Sequence, residues 1–246
     1  MPLIQAERGH TVVRHEEGRI VAVDLPISKG SSAAVPRRMI LFLGANPRDT
    51  QRLALRQEWA AIKRELRTAT YGGEFEFQHM SSVTVDRMAH QLIKLNPTII
   101  HFSGHGAGGA SLLKSETTRH ITRDTSGIYL QDDRSLSQLV SPRALAMMVK
   151  SSAPATRLVV LNACYSDQHA DELCQVVDCV VGMTGAIDDA AARSFAVGFY
   201  RGLAFRQSVG DALDHARATL AAKQFPDEHV PRIRTRPMTN ARQMFL

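Results

Sequence analysis

Short apolar runs rich in β-branched residues recur along this chain, and they restrict its possible folds more than any other feature. They begin at Met39, Ile99, Leu158 and Cys179, and each stops abruptly at glycine or polar residues. Such runs are typical of parallel strands, because both faces of a parallel sheet are covered by helices. Amphipathic helix patterns separate most of them. The sequence therefore predicts an α/β fold with a mostly parallel sheet flanked by helices.

Two of these runs end at a reactive side chain. The run from Ile99 leads to His105, which has a glycine on either side, and the run from Leu158 leads to Cys164. The carboxyl ends of neighbouring parallel strands meet at one edge of a sheet, so we expect these two side chains to lie close together. An imidazole beside a thiol favours the thiolate and can move protons during acyl transfer. The alternative is a buried cysteine and a loop histidine without chemistry, the commoner case for an arbitrary pair.

The patterns divide the chain into three parts. Residues 1–38 predict a short β-hairpin and a linker, residues 39–224 one α/β domain, and residues 225–246 a basic irregular tail. Asp49 or Thr50 is expected to cap the first helix of the domain. The strands predicted in the domain, besides the four runs, are 75–79 and 128–130, and the predicted helices are 51–68, 84–95, 142–151, 167–175, 190–205 and 208–223.

Composition argues against several other classes of protein. The three cysteines have no CxxC spacing, so neither a disulfide framework nor a structural zinc site is expected, and no metal or cofactor is predicted. The formal charge is +6, but only 6% of the residues are aromatic, which leaves little material for base stacking, so specific nucleic-acid binding is not expected. No apolar run approaches the roughly 18 residues that a membrane span requires. We expect a soluble, cytoplasmic protein.

Four ordered motifs carry a family resemblance. They are ILFLGANPRDT at 40–50, HFSGHG at 101–106, VVLNACYS at 159–166 and VGMTGAIDD at 181–189. Together they resemble the CHAT branch of the caspase-like cysteine peptidases. The resemblance implies a caspase–haemoglobinase fold and a catalytic dyad of His105 and Cys164. It also implies an oxyanion hole made by the backbone N–H groups of Gly106 and Cys164, without a third acidic member.

The resemblance leaves the substrate open, because the candidate substrate-binding residues point in opposite directions. Arg48 stands near the position where caspases place an arginine for a P1 aspartate. Asp188 and Asp189 stand near the position where separase-like relatives place an aspartate for a P1 arginine, although either could simply cap a helix. Asn162 replaces the glutamine of the caspase motif and is neutral, so it favours neither reading.

The function implied is a cysteine endopeptidase that cleaves specific protein partners. By family analogy it acts as an effector or activator in bacterial antiphage defence or programmed cell death, for example by cutting a gasdermin-like pore former. Because an unregulated protease is toxic, a regulatory protein partner is expected. The irregular segment 107–127 and the terminal extensions are candidate places for processing or docking. The alternative is a catalytically inactive caspase-like interaction module.

Overall fold

The computed structural model describes residues 11–16, 19–24, 37–108 and 126–246. The chain forms two units, residues 1–36 and residues 37–246. In the first unit, strands β1 (Thr11–Glu16) and β2 (Arg19–Asp24) pair as an antiparallel hairpin, as predicted. The predicted linker and most of the segment 107–127 lie outside the described residues.

The second unit contains a six-stranded sheet and a small three-stranded sheet. The main sheet has the order β11-β10-β9-β5-β3-β4, in which all strands except the edge strand β11 run parallel. The small antiparallel sheet has the order β6-β7-β8. The strands are β3 (Arg38–Gly44), β4 (Phe75–Ser81), β5 (Ile99–Ser103), β6 (Gly106–Ala107), β7 (Gly127–Gln131), β8 (Ser137–Val140), β9 (Leu158–Asn162), β10 (Cys179–Met183) and β11 (Pro231–Thr235).

In the part of the chain that the structure describes, six α-helices flank the main sheet, and the predicted mostly parallel α/β architecture is confirmed. Their apolar stripes cover both faces of the sheet, which is why the inner strands read as continuous apolar runs. Within the described residues, no helix combines the length and the apolar character needed to cross a bilayer. The helices are α1 (Leu55–Thr68), α2 (Val85–Leu95), α3 (Pro142–Ser152), α4 (Ala170–Leu173), α5 (Asp189–Ala204) and α6 (Val209–Ala222).

The sheet separates two hydrophobic clusters. On one face, residues such as Ile40 and Val160 pack with α1, α5 and α6. On the other face, residues such as Leu41 and Leu161 pack with α2, α3 and β7. Since side chains alternate along a strand, every second residue of β5 and β9 faces α1 and α5. This alternation decides which side chains meet below the carboxyl ends of the strands.

The structure corrects three expectations from the sequence. The tail at 225–246 is not irregular, because it supplies β11, which pairs with β10. The helix expected at 167–175 is a 3₁₀ turn (Ser166–His169) followed by the short α4. The first helix begins at Leu55 instead of residue 51, and its N-cap residue Ala54 provides no side-chain hydrogen bond. Asp49, expected as a cap, accepts hydrogen bonds from the backbone N–H and the hydroxyl of Ser137 instead.

Candidate active site

The ends of β5 and β9 bring the segments of His105 and Cys164 together. In the parallel register Ser103, the last residue of β5, lies opposite Asn162, the last residue of β9. His105 and Cys164 each follow two residues later. The two side chains therefore emerge at the same sheet edge, as the strand pattern predicted.

Gly106 shows how closely the two segments approach each other. A Cβ atom at this position would lie 2.3 Å from the carbonyl oxygen of Cys164 and 3.3 Å from the Cβ of Ala163. Gly108 is similar, since its Cβ would lie 2.9 Å from the Cβ of Tyr165. Only residues without a side chain allow the backbone after His105 to pack directly on the backbone around Cys164.

The imidazole of His105 is held by the loop that follows β3. Its Nε2 lies 2.6 Å from the carbonyl oxygen of Gln51. A carbonyl oxygen can only accept, so Nε2 carries a proton and donates it. In the neutral imidazole, Nδ1 is then the nitrogen that is free to accept a proton. The Gln51 contact thus fixes both the tautomer and the direction of the ring.

Cys164 is half-buried and its thiol faces the chain that leads into α5. The Sγ atom lies 4.0 Å from the carbonyl oxygen of Ile187. Within the described residues the thiol forms no hydrogen bond with His105. The next residue, Tyr165, has a φ of 58°, an uncommon left-handed backbone conformation that makes the chain turn sharply after the cysteine. The buried hydroxyl of Ser166 secures this turn by donating to the Leu161 carbonyl and accepting from the Met183 N–H.

The other two thiols lie in a different environment. Cys174 and Cys179 are buried, whereas Cys164 is only half-buried. Burial raises the pKa of Cys174 to about 11 and that of Cys179 to about 12. A thiol acts as a nucleophile only as the thiolate, so these two cysteines are unreactive near neutral pH.

Two backbone N–H groups near the thiol, those of Gly106 and Cys164, are not used by the β6–β7 ladder. Tyr129 N–H donates to the His105 carbonyl, so residues 105 and 129 form a hydrogen-bonded pair of the β6–β7 ladder. Because such pairs alternate in antiparallel sheets, the next pair, Gly106 with Ile128, is not hydrogen-bonded and the Gly106 N–H points away from β7. The Cys164 N–H also has no hydrogen-bond partner among the described residues.

A buried polar network lies directly below the strand ends. The carboxylate of Glu58, on α1, accepts from Ser103 Oγ at 2.6 Å, from Asn162 Nδ2 at 2.7 Å and from His101 Nε2 at 3.0 Å. The Nδ1 atom of His101 lies 3.1 Å from the hydroxyl of Tyr200. Burial, and then the charge of Glu58, raise the pKa of Tyr200, so this hydroxyl stays protonated.

A cavity of about 750 Å³ opens beside the loop that holds His105. Thr50 and Arg52, the neighbours of Gln51, both line it, together with Arg48 and Arg56. None of these three arginines forms an ion pair in the described part of the chain. Gln131 also lines the cavity, and its buried Oε1 has no hydrogen-bond partner among the described residues. The cavity therefore presents positive charge and an unpaired amide oxygen.

The other candidate substrate-binding residues, Asp188, Asp189 and Asn162, are each engaged in contacts within the protein. Asp188 caps α5 by accepting from the N–H groups of Ala190 and Ala191. Asp189 forms an ion pair with Arg193 one helical turn later. Asn162 is 4% exposed, and its amide belongs to the network around Glu58.

Sequence reasoning missed Gln51 and Glu58, although one of them left a signal. Glu58 falls inside the apolar stripe of α1, three residues after Leu55 and four before Ile62. A carboxylate at such a position needs a buried partner, so it could have been noticed. Gln51 left no signal, because it acts through its backbone carbonyl.

The comparisons with known proteins agree with this geometry. The CHAT domain family matches residues 5–238 of the chain. A probable protease from Gillisia limnaea is 23% identical over 173 residues, which is 70% of this chain and 27% of that protein. A Roc-COR-CHAT protease from an unknown prokaryotic organism is 21% identical over 198 residues, 78% of this chain and 17% of that protein. The chain thus spans less than a third of the length of either relative.

Among solved structures, the Drosophila initiator caspase Dronc matches with a TM-score of 0.54 and 10% identity. The match covers 100% of this chain and 99% of the caspase chain. At this level of identity the likeness concerns the fold. The resemblance seen in the four sequence motifs is confirmed, and the chain belongs to the CHAT domain family and has the caspase-type fold of cysteine peptidases.

Proposed function

We propose that this chain is a cysteine endopeptidase that cleaves specific protein partners with His105 and Cys164 as its dyad. The observation that carries the proposal is the packing of the two strand ends, where the backbone after His105 lies against the backbone of Cys164. The family match and the protease names of the two relatives support the same activity.

The chemistry follows from the tautomer of His105. Nδ1 takes the proton of the Cys164 thiol, and the thiolate attacks the carbonyl carbon of the scissile peptide bond. The imidazolium then protonates the leaving amine, and the peptide C–N bond breaks to leave a thioester. Water hydrolyses the thioester, which releases the new carboxyl terminus and restores the thiol. The Gln51 carbonyl keeps the ring oriented through both proton transfers.

The oxyanion hole is proposed at the N–H groups of Gly106 and Cys164. The first points out of the β6–β7 ladder, and the second has no hydrogen-bond partner among the described residues, so the sheet uses neither of them. Donors fixed in the backbone stabilise the charge that develops on the carbonyl oxygen without having to reorganise.

For substrate selection we favour Arg48 over the two aspartates. Asp188 is engaged in capping α5 and Asp189 in an ion pair, whereas Arg48 is exposed, lines a cavity that adjoins the His105 loop and forms no ion pair with any residue that the structure describes. A carboxylate in this cavity would meet three guanidinium groups. An acidic side chain in the substrate is the ligand that this charge favours.

The biological setting rests on family analogy alone. The protein substrate is proposed to be a partner in bacterial antiphage defence or programmed cell death, such as a gasdermin-like pore former, with a regulatory protein that controls the cleavage.

Digestion of a proteome-derived peptide library, with mass spectrometry of the products, tests the activity and the specificity together. Wild type should generate new termini that Cys164→Ala and His105→Ala do not, and the residues before the cut should be enriched in Asp or Glu. Arg48→Ala should weaken this enrichment, whereas Arg143→Ala, an exposed arginine on α3, should not. Identical product patterns from wild type and Cys164→Ala would contradict the peptidase assignment and favour the inactive interaction module. Enrichment of Arg would instead implicate the aspartates.

A further inference from the structure

Glu58 places a carboxylate inside the buried layer between α1 and the sheet. It is 2% exposed, and no Lys or Arg pairs with it in the described part of the chain. Its partners are instead three donors with short distances, on Ser103, Asn162 and His101. A buried carboxylate is costly unless such donors satisfy it, so this arrangement fixes where each donor must stand.

The donors lie on the two strands that carry the candidate dyad. Ser103 and Asn162 are the last residues of β5 and β9, they lie opposite each other, and each stands two residues before His105 or Cys164. A single carboxylate therefore ties the two strand ends to each other and to α1.

The same hydrogen-bond network also links α5 and the helix that follows the Gln51 loop to the candidate site. The Asn162 amide also donates to the Ala192 carbonyl at 3.1 Å, in the first turn of α5, the helix that follows the Ile187 carbonyl near the thiol. The helix that carries Glu58 follows the loop whose Gln51 carbonyl orients His105. Both catalytic candidates and their immediate neighbours thus stand on elements that are linked through one side chain.

We propose that Glu58 is a positioning residue, whose carboxylate holds the ends of β5 and β9 in the geometry that brings His105 and Cys164 together. The backbone ladder between β5 and β9 sets their register but ends at Ser103 and Asn162, so the segments that lead on to His105 and Cys164 lie beyond it. Hydrogen bonds from the side chains of both last residues to one carboxylate resist small relative shifts where the ladder stops. This inference rests on the proposed function, because it assigns to Glu58 a role in the same dyad.

A purely structural role is the alternative, and Glu65 provides the matched control. It lies on the same helix and links α1 to α5 through an ion pair with Arg201 at 2.8 Å. None of its hydrogen bonds reaches β5 or β9. Glu58→Gln and Glu65→Gln are therefore the same chemical change on the same helix, and only the first alters the support below the dyad.

The readout is the rate at which iodoacetamide alkylates Cys164 near neutral pH, followed by peptide mass spectrometry, with the thermal midpoint measured in parallel. It needs no substrate, and the buried Cys174 and Cys179 do not interfere because burial raises their pKa values. His105→Ala gives the rate without the imidazole. We expect Glu58→Gln to slow alkylation about tenfold, toward the His105→Ala rate, since small misplacements of reacting groups have large effects on rate.

Ser103→Ala, which removes one donor, should slow the reaction less, and Glu58→Gln with Ser103→Ala should be no slower than Glu58→Gln alone. Glu65→Gln should leave the rate within about twofold of wild type even where it lowers the thermal midpoint, because it leaves the dyad geometry intact. If Glu58→Gln does not fold, Ser103→Ala alone carries the test.

Two results overturn the inference in distinguishable ways. If His105→Ala alkylates as fast as wild type, the dyad itself is absent and the proposed function fails with the inference. The second result is slow alkylation in His105→Ala together with wild-type rates in Glu58→Gln and Ser103→Ala, or with rates equal to that of Glu65→Gln at the same thermal midpoint. In that case the dyad stands and Glu58 is only structural.

Discussion

Gly106 is the residue where the site tolerates the least change. Because it has no side chain, the backbone after His105 can pack against the carbonyl of Cys164. The N–H group of Gly106 is also a candidate donor to the oxyanion. The meeting of His105, Gly106 and Cys164 at one sheet edge could be predicted, because each sits in a local motif at the end of an apolar run, and their roles in catalysis are proposed. Glu58 could not be assigned a role, because its donors come from strands that begin 41 and 100 residues later, at Ile99 and Leu158.

Gly106→Ala should slow cleavage by about 100-fold while the fold survives. The added methyl group would lie 2.3 Å from the Cys164 carbonyl oxygen, so the segment after His105 must move away. A misplacement of the reacting groups by about 1 Å reduces the rate of catalysis by about 100-fold. Peptide cleavage and circular dichroism measure the two effects. Gly73→Ala is the control, because a Cβ there meets nothing within 4 Å. Full activity in Gly106→Ala would show that the close approach is not needed.

At the level of secondary-structure elements, α5 and α1 show what side-chain patterns can and cannot predict. The N-cap of α5 was expected at Asp188 or Asp189, and the structure places it at Asp188. Asp49 or Thr50 was expected to be the N-cap of α1. This prediction is wrong, because Asp49 bonds instead to Ser137, 88 residues away. A local pattern predicts a cap reliably only where no distant partner competes for the same carboxylate.

Asp188→Ala should lower the free energy of unfolding by about 1 kcal/mol, the usual contribution of an N-cap side chain. Asp188→Asn should retain most of it, since asparagine caps about as well as aspartate. Urea unfolding of the three proteins measures the difference. The pair also separates capping from substrate binding. A change in P1 preference in Asp188→Asn at unchanged stability would show that the carboxylate contacts substrate.

In the molecule as a whole, the C-terminal segment completes the sheet. β11 covers the outer edge of β10, and Arg234 pairs with Asp167 at 3.0 Å, next to the turn that follows Cys164. Val230, Met244 and Leu246 are buried in the cluster that also holds α5 and α6. The segment predicted as an irregular basic tail therefore belongs to the core of the second unit.

Truncation after residue 224 should prevent the chain from folding into a soluble monomer. It would expose the β10 edge together with the apolar core surface that Val230, Met244 and Leu246 cover, and open apolar edges promote aggregation. Size-exclusion chromatography and thermal unfolding of the truncated chain check this. The double variant Arg232→Ala with Arg236→Ala keeps β11 but removes one charge within the strand and one directly after it, and it should remain monomeric. A stable, monomeric truncated chain would mean that β11 is dispensable.

The sequence by itself determined the class of fold, the order of the inner strands along the chain and the positions of His105, Gly106 and Cys164. Continuous apolar runs, and reactive residues directly after them, are local signals that hold in any α/β context. Only the tertiary structure decided that Gln51 orients the imidazole, that Glu58 joins the two strand ends, and that residues 231–235 form a sheet edge. Each of these depends on hydrogen bonds between segments far apart in the chain, whose formation is governed by packing and not by local pattern.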